Sequence, residues 1–277
     1  MATLYDTTIE LNSVQYGICG IDVGNSRVKI HHDDVYLSIP FDKEWKKNVQ
    51  HHFRDHVSKK YLIGLSSVNP KQTTAIVKII QRIPGHLVIN VHQLLMRNEA
   101  LLRLGSVENA GIDRMLGAIG ALFKQLPPLI TVDCGTAVTV NAISKDRMFL
   151  GGIIFAGMTT QLVGLTKQTA GIPETEYSQP VKAIGVNTQE SLMAGVTQSV
   201  LGGVLESIQT MQNEFFNGAQ VPIVITGGEG KVIAETMGHR GLDVHFERDM
   251  VTTGILSLLM NAKPVDIHDG IIEKIRN

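Results

Sequence analysis

The chain has 277 residues, of which 43% are hydrophobic and 18% are charged, and its formal net charge is −1. This length accommodates two domains, and the near-neutral charge argues against nucleic acid as the main partner, because binding a phosphate backbone requires a basic excess. The two cysteines lack CxxC spacing, no signal peptide is recognisable and no apolar run approaches the roughly 18 residues of a membrane span, so we expect a cytoplasmic protein without a membrane partner.

The first half of the chain is predicted to form one α/β domain, residues 17–126, preceded by a flexible extension at 1–16. Residues 18–39 predict three short strands separated by polar turns. Apolar residues recur at helical spacing after Gly111, and Pro127-Pro128 ends that helix and marks the domain junction. Between these segments the sequence predicts a strand, a helix and a strand: 61–67, 73–82 and 87–91.

The second half repeats the opening pattern of the first. Residues 129–150 again predict a strand, a turn and two more extended segments, and the aspartates that end the first strands, Asp22 and Asp133, lie 111 positions apart. A long helix is predicted up to about residue 216, then a strand at 222–226, then a helix at about 250–261. We therefore assign a second domain to residues 127–277 and expect mixed sheets flanked by helices in both domains.

Each repeat contains an Asp-x-Gly turn followed by a small polar residue, Asp22-Val23-Gly24-Asn25 and Asp133-Cys134-Gly135-Thr136. Glycine lets the backbone amides of such a turn approach an anion closely, while the aspartate is suited to holding a cation that neutralises phosphates. Two such turns facing each other across a cleft would bind a nucleotide's phosphates from both sides, as in the actin-like superfamily that includes sugar kinases and heat-shock chaperones. Two ordinary hairpin turns are the alternative.

Two further segments fit this interpretation. The loop Gly227-Gly228-Glu229-Gly230 follows a strand and resembles the adenosine-side loop of the actin-like superfamily. It is not a Walker A loop, because Val232 follows Lys231 where serine or threonine is required. Gly111-Ile112-Asp113-Arg114 opens a helix, where unpaired amides favour anions, so this carboxylate and guanidinium could orient an acceptor hydroxyl and its substrate. A helix-capping aspartate beside a surface arginine is the alternative.

In order and spacing, these motifs resemble the type III pantothenate kinases over residues 18 to about 230. The resemblance rests on the Asp-x-Gly turn that begins at Asp22 and continues to Lys29, on Gly111–Arg114, on the turn 133–137, on Gly151-Gly152-Ile153 and on Asn187-Thr188. Gly-x-Asp-Arg between two Asp-x-Gly turns marks the family rather than the superfamily.

The resemblance implies two tandem actin-like (ribonuclease H-like) domains with the active-site cleft between them, and ATP-dependent phosphorylation of pantothenate, the first step of coenzyme A biosynthesis. It also implies a homodimer, Mg²⁺ and a monovalent cation, K⁺ or NH₄⁺. Asp113 would accept the hydroxyl proton, and Asp22 would hold Mg²⁺, through water. Asp133 would bind the monovalent cation. The implied ATP-binding residues are Asp22, Val23, Gly24, Asn25, Ser26, Arg27, Val28, Lys29, Gly135 and Thr136. The implied pantothenate-binding residues are Gly111, Ile112, Asp113, Arg114 and Thr188.

The sequence departs from the family pattern in three places. Ser26 replaces the usual threonine and Ala156 stands where proline is common. No aromatic residue occurs in 97–108, where the family carries a substrate-contacting tyrosine. Two alternatives follow: a kinase of the same superfamily acting on a sugar or another hydroxylated metabolite, or a catalytically inactive regulatory relative.

Overall fold

The computed structural model describes residues 7–55, 59–178 and 182–272. The chain divides into two compact units, one formed by the residues up to Lys124 together with those from Asp249 onward, and the other by Gln125–Arg248. The first boundary lies two residues before the predicted junction. The C-terminal segment differs from the prediction, because its helices pack with the first unit rather than the second.

Within the described residues, runs of consecutive strands open each half of the chain, and helices and further strands follow. The strands are β1 Thr8–Leu11, β2 Val14–Val23, β3 Arg27–His32, β4 Val35–Pro40, β5 Tyr61–Ser67, β6 Leu87–Asn90, β7 Leu129–Cys134, β8 Ala137–Ile143, β9 Phe149–Ala156, β10 Ile223–Thr226 and β11 Val244–Phe246. The helices are α1 Trp45–Asp55, α2 Pro70–Ile80, α3 Val91–Met96, α4 Ile112–Lys124, α5 Met158–Gln168, α6 Thr188–Phe215, α7 Gly230–Gly238, α8 Met250–Asn261 and α9 Pro264–Gly270.

The two units contain sheets of the same topology. The first sheet has the order β4-β3-β2-β5-β6, and the second has the equivalent order β9-β8-β7-β10-β11. In each, the three sequential strands pair antiparallel and the last two are added in parallel. The predicted α/β architecture with two mixed sheets flanked by helices is confirmed, and so is the duplication on which it was based.

The predicted N-terminal extension is wrong for residues 8–16, while residues 1–6 lie outside the described residues. Strand β1 pairs antiparallel with the start of β2, from Thr8 opposite Gly17 to Leu11 opposite Val14. Asn12 and Ser13 form the two-residue connection, with φ of 50° and 63°. Positive φ at both positions is typical of the tight turn that matches the natural twist of a hairpin.

The first sheet is covered on both faces. One face of β2, with Cys19, Ile21 and Val23, belongs to a core cluster that also contains side chains of α1 and α2. On the other face the chain has glycines where α8 approaches: a methyl group at Gly20 would lie 3.0 Å from the Thr252 carbonyl oxygen. This close approach explains why α8 belongs to the first unit.

The second unit has its own core between β7, β8, α5 and α6. The predicted helical stripe is confirmed, since Val196, Val200 and Val204 of α6 are buried in one cluster with Val132 and Val140 of the sheet. The helices in the described part of the chain are all too short or too polar to cross a bilayer.

Candidate functional site

The first Asp-x-Gly turn connects β2 and β3. Its hairpin closes at Val23 opposite Val28, with the Gly24 amide donating to the Arg27 carbonyl at 3.0 Å. Both valines are fully buried, so their side chains belong to the core and only their backbone is available to a ligand. The remaining predicted residues of the loop, Asn25, Ser26 and Arg27, have exposed side chains.

Asp22 and Lys29 are cross-strand neighbours in this hairpin. The Lys29 Nζ lies 3.4 Å from Asp22 Oδ2. Burial raises the pKa of the Asp22 carboxyl above its ordinary value, and the negative charge of Asp113 adds to that rise, whereas Lys29 opposes it. The first unit therefore brings together three of the predicted groups, Asp22, Lys29 and Asp113.

Asp113 lies in the first turn of α4, immediately after Gly111 and Ile112. Its Oδ1 accepts the Arg114 backbone amide at 2.9 Å, which fixes the orientation of the carboxylate. A methyl group at position 111 would lie 2.6 Å from the same Oδ1, so glycine is required for this side chain to fold back. The Arg114 guanidinium is half-buried, and burial lowers its pKa while Asp113 opposes the shift.

The second Asp-x-Gly turn connects β7 and β8. Cys134 pairs with Val138, and the Gly135 amide donates to the Ala137 carbonyl at 3.1 Å. The Thr136 carbonyl accepts two hydrogen bonds from the segment that begins α5: the Gly157 amide at 3.0 Å and the Thr160 hydroxyl at 2.6 Å. The turn is thus held by the chain that follows β9, and Asp133 stands at its edge, opposite Thr139 on β8.

The glycine-rich loop after β10 lies directly against this second turn. Gly227 has φ of 98°, and a methyl group there would be 2.3 Å from the Cys134 carbonyl oxygen and 2.6 Å from Asp133 Oδ1. Glycine is therefore obligatory on both conformational and steric grounds. The next contact is the Glu229 amide, which donates to the Cys134 carbonyl at 3.2 Å. The structure brings the predicted adenosine-side loop and the Asp133–Thr136 turn together.

The Glu229 side chain is a feature that the sequence did not reveal. Its carboxylate accepts the Met158 amide and the Thr159 hydroxyl at the start of α5. The contact joins residues about 70 positions apart, so periodicity and local spacing carry no signal for it. A helix start at Gly157, a residue without a capping side chain, is the one local hint that a partner must come from elsewhere.

Thr188 is the first residue of α6 and its side chain is exposed. The preceding Asn187 caps the helix by accepting the Glu190 amide at 2.9 Å. Residues 185–188 with Ser191 and Leu192 line an open concavity of about 550 Å³. Thr188 is therefore accessible at a concave surface, as a substrate-binding residue must be.

The carboxylates of the two turns are the groups suited to cations. Among the described residues, no group of three or more His, Cys, Asp and Glu side chains is arranged to hold a metal ion. Asp22 and Asp113 nevertheless interact electrostatically and supply only oxygen donors. Mg²⁺ is typically held by one or two carboxylates together with water and substrate phosphates, so this donor set fits a divalent ion that arrives with a nucleotide.

Sequence comparisons identify relatives over most of this machinery. Residues 18–210 match the family model of type III pantothenate kinases. A type III pantothenate kinase from Sulfurihydrogenibium sp. strain YO3AOP1 is 32% identical over 203 residues, which cover 71% of this chain and 75% of the relative. One from Legionella pneumophila strain Paris is 38% identical over 153 residues, which cover 54% of this chain but only 58% of that relative's length.

Solved structures share the fold at low sequence identity. A Campylobacter jejuni protein described as a Baf family transcriptional activator aligns with a TM-score of 0.55 at 18% identity, covering 87% of this chain and 96% of its own. The activator of the 2-hydroxyisocaproyl-CoA dehydratase from Clostridium difficile, solved with bound ADPNP, aligns with a TM-score of 0.50 at 13% identity, covering 94% of this chain and 98% of its own. Together with the duplicated sheet topology, these neighbours show that the chain shares their fold.

Proposed function

This chain belongs to the type III pantothenate kinase family, and we propose that it transfers the γ-phosphoryl group of ATP to the primary hydroxyl of pantothenate. The product is 4′-phosphopantothenate, and the reaction is the first step of coenzyme A biosynthesis. The observation that carries the proposal is the family match over residues 18–210, which includes the Asp22–Lys29 turn and the Asp113 helix start that the structure brings together.

Asp113 is the proposed catalytic residue. Phosphoryl transfer passes through a loose transition state, so the main task of the protein is to position the reactants and neutralise charge. The Asp113 carboxylate, held by the Arg114 amide, would orient the attacking hydroxyl and take its proton late in the reaction. Gly111, Ile112 and Arg114 adjoin it and would line the pantothenate site, and Thr188 would contribute a further hydroxyl.

The hairpin from Asp22 to Lys29 is the proposed first phosphate-binding element. The backbone amides of its exposed loop would donate hydrogen bonds to the phosphates, and Lys29 would add positive charge. Lys29 also holds the pKa of Asp22 down against burial, which favours the ionised form that a cation requires. In the second unit, Gly135 and Thr136 would contact ATP, and the adjacent loop 227–230 would hold the adenosine side.

Family membership implies ATP and a divalent metal ion. We assign Mg²⁺ to Asp22, through water, and a monovalent cation, K⁺ or NH₄⁺, to Asp133. When bound, these ions neutralise phosphate charge as it shifts during transfer. The support in this chain is that each carboxylate stands at the end of a strand beside a glycine turn, where phosphate oxygens could complete the coordination.

We also propose that the enzyme is a cytoplasmic homodimer. The second unit exposes large apolar side chains, with Ile154 58%, Ile184 81% and Val186 83% accessible. Covering such groups with a second copy would stabilise them, and sedimentation analysis would detect the dimer. The cytoplasm supplies ATP and keeps thiols reduced, as both Cys19 and Cys134 are here.

The test is ATP turnover by the purified protein with and without pantothenate, repeated with Na⁺ in place of K⁺, and with mass detection of the phosphorylated product. We expect ADP release that depends on pantothenate and K⁺. Residues 97–108 lack the aromatic side chain that contacts substrate in the family, so a panel of sugars and other hydroxylated metabolites is also tested as acceptors. Faster turnover of another acceptor would reassign the substrate, and nucleotide binding without turnover of any acceptor would indicate a regulatory relative.

A further inference from the structure

The start of α5 cannot be capped by its own N-cap residue. That residue is Gly157, which provides no side-chain hydrogen bond. A methyl group at this position would lie 2.0 Å from the Gly135 carbonyl oxygen and 3.1 Å from that of Thr136, so any capping side chain is excluded. The first amides of a helix nevertheless need acceptors, and the helix N-terminus favours negative charge.

Glu229 supplies what Gly157 cannot. Its Oε2 accepts the Met158 amide at 3.2 Å and its Oε1 accepts the Thr159 hydroxyl at 3.1 Å. The carboxylate therefore takes the place of an N-cap and brings a full negative charge to the positive end of α5. The same residue is anchored at its backbone, where its amide donates to the Cys134 carbonyl at 3.2 Å.

These contacts join three segments of the second unit to one another. The turn 133–136 is joined to the start of α5 through the Thr136 carbonyl, and to the loop 227–230 through the Cys134 carbonyl. The Glu229 carboxylate joins the remaining two segments, the loop and the helix start. Because both the side chain and the backbone amide of Glu229 are hydrogen-bonded, the loop has a fixed position relative to the turn.

We propose that Glu229 is a positioning residue for ATP, whose carboxylate holds the adenosine-side loop 227–230 at a fixed distance from the phosphate-side turn 133–136. The proposal rests on the proposed function, in which these two segments contact opposite ends of the nucleotide. Pre-organisation of this kind lowers the ordering cost of binding, so it acts on nucleotide affinity. With the Met158 amide already held by a carboxylate, the phosphates would be directed to the turn 133–136 rather than to the start of α5.

The experiment compares Glu229→Ala and Glu229→Gln with the parent protein, using Glu235→Ala as the matched control. Glu235 lies on the neighbouring helix α7, is exposed, and pairs only loosely with Lys231 at 3.9 Å, so the control removes the same charge without the capping contacts. For each protein we measure kcat, the KM for ATP and for pantothenate, and ATP binding by calorimetry.

We expect Glu229→Ala to raise the KM and the Kd for ATP about tenfold, the factor that corresponds to one net hydrogen bond to a charged group. The KM for pantothenate should stay within about twofold of the parent. Glu229→Gln keeps one acceptor oxygen and should raise both ATP constants by a smaller factor, which keeps the test valid if the alanine variant does not fold. Glu235→Ala should match the parent.

Three results would overturn the proposal. The first is a Glu229 variant with an altered melting temperature but unchanged ATP constants, which would make the carboxylate a structural cap only. The second is an equal rise in both KM values, and the third is a parent protein that does not bind ATP. If the parent binds ATP but does not phosphorylate pantothenate, the proposed function fails, and weaker ATP binding by Glu229→Ala would still support the positioning role.

Discussion

Replacing Gly120 by alanine is expected to destabilise the first unit strongly, because α4 and α8 cross there with their backbones in contact. A methyl group at Gly120 would lie 1.9 Å from the Met250 carbonyl oxygen. The reciprocal glycine, Gly254, would place a methyl group 1.9 Å from the Leu116 carbonyl oxygen. Since ordinary contact begins near 3.4 Å, the helices would have to separate by about 1.5 Å.

The size of the effect follows from two opposing contributions. Overpacking a buried contact costs about 1–3 kcal/mol, and a clash with backbone rather than with a flexible side chain belongs at the upper end. Alanine is favoured over glycine in a helix by about 1 kcal/mol. We therefore expect the Gly120→Ala protein to lose about 2 kcal/mol of unfolding free energy, and kcat to fall as well, because α4 carries Asp113 in its first turn.

Gly117→Ala is the matched control for this prediction. It lies one turn earlier on α4, and its methyl group would meet only side chains at ordinary contact distances, Met250 at 3.5 Å and Val251 at 3.9 Å. We expect this variant to be as stable as the parent or up to about 1 kcal/mol more stable. Urea denaturation followed by circular dichroism measures both. If Gly120→Ala and Gly117→Ala were equally stable, the conclusion that the backbones of α4 and α8 are too close at Gly120 to admit a side chain would be refuted.

Three further predictions concern the proposed site. Asp113→Asn should lower kcat by about 10²–10⁴ while leaving the melting temperature unchanged, because the amide oxygen can still accept the Arg114 amide; full activity would remove Asp113 from the mechanism. Lys29→Met should raise the pKa of Asp22 further, because Lys29 lowers that pKa in the parent protein. The acidic limb of the pH profile of kcat/KM should therefore move to higher pH. An unmoved limb would show that Asp22 does not titrate in catalysis. Gly227→Ala should raise the KM for ATP by about tenfold or more, because neither the φ of 98° at Gly227 nor the short distance from Gly227 to Cys134 tolerates a side chain. Calorimetry with ATP checks this, and an affinity equal to that of the parent would contradict it.

The sequence predicted the parts of the fold that depend on local chemistry. Several features lie at the positions that hydrophobic periodicity and the glycines predicted: the turns after Asp22 and Asp133, the helix that begins near Gly111 and the apolar stripe of α6. These features are readable because side chains three or four positions apart, or two strands joined by a tight turn, are already neighbours along the chain.

The sequence could not place elements whose position depends on distant contacts. Strand β1 was missed because Asn12-Ser13 is a weaker hairpin signal than Asn-Gly, and because the strand has only 4 residues. Helix α8 was assigned to the second domain, although its approach to Gly20 and Gly120 makes it part of the first. The capping role of Glu229 was missed for the same reason, because its partners are about 70 residues away.

The two Asp-x-Gly turns share a topology but differ in length and therefore in electrostatics. In the first, the strands close at Val23 opposite Val28, so Asp22 faces Lys29. In the second, they close at Cys134 opposite Val138, which shortens the loop by one residue and places the uncharged Thr139 opposite Asp133.

This difference assigns the turns separate tasks within the proposed function. A buried carboxylate beside a lysine is already partly neutralised, so Asp22 is suited to a cation that comes with the nucleotide and is shared with water and phosphate. Asp133 stands opposite a threonine, Thr139, instead of a lysine, and we propose it for the small, separately bound ion. Thr139→Lys would restore the pairing of the first turn in the second. If Asp133 binds the monovalent cation, this variant should lose the dependence of turnover on K⁺, and unchanged K⁺ activation would contradict the division of roles.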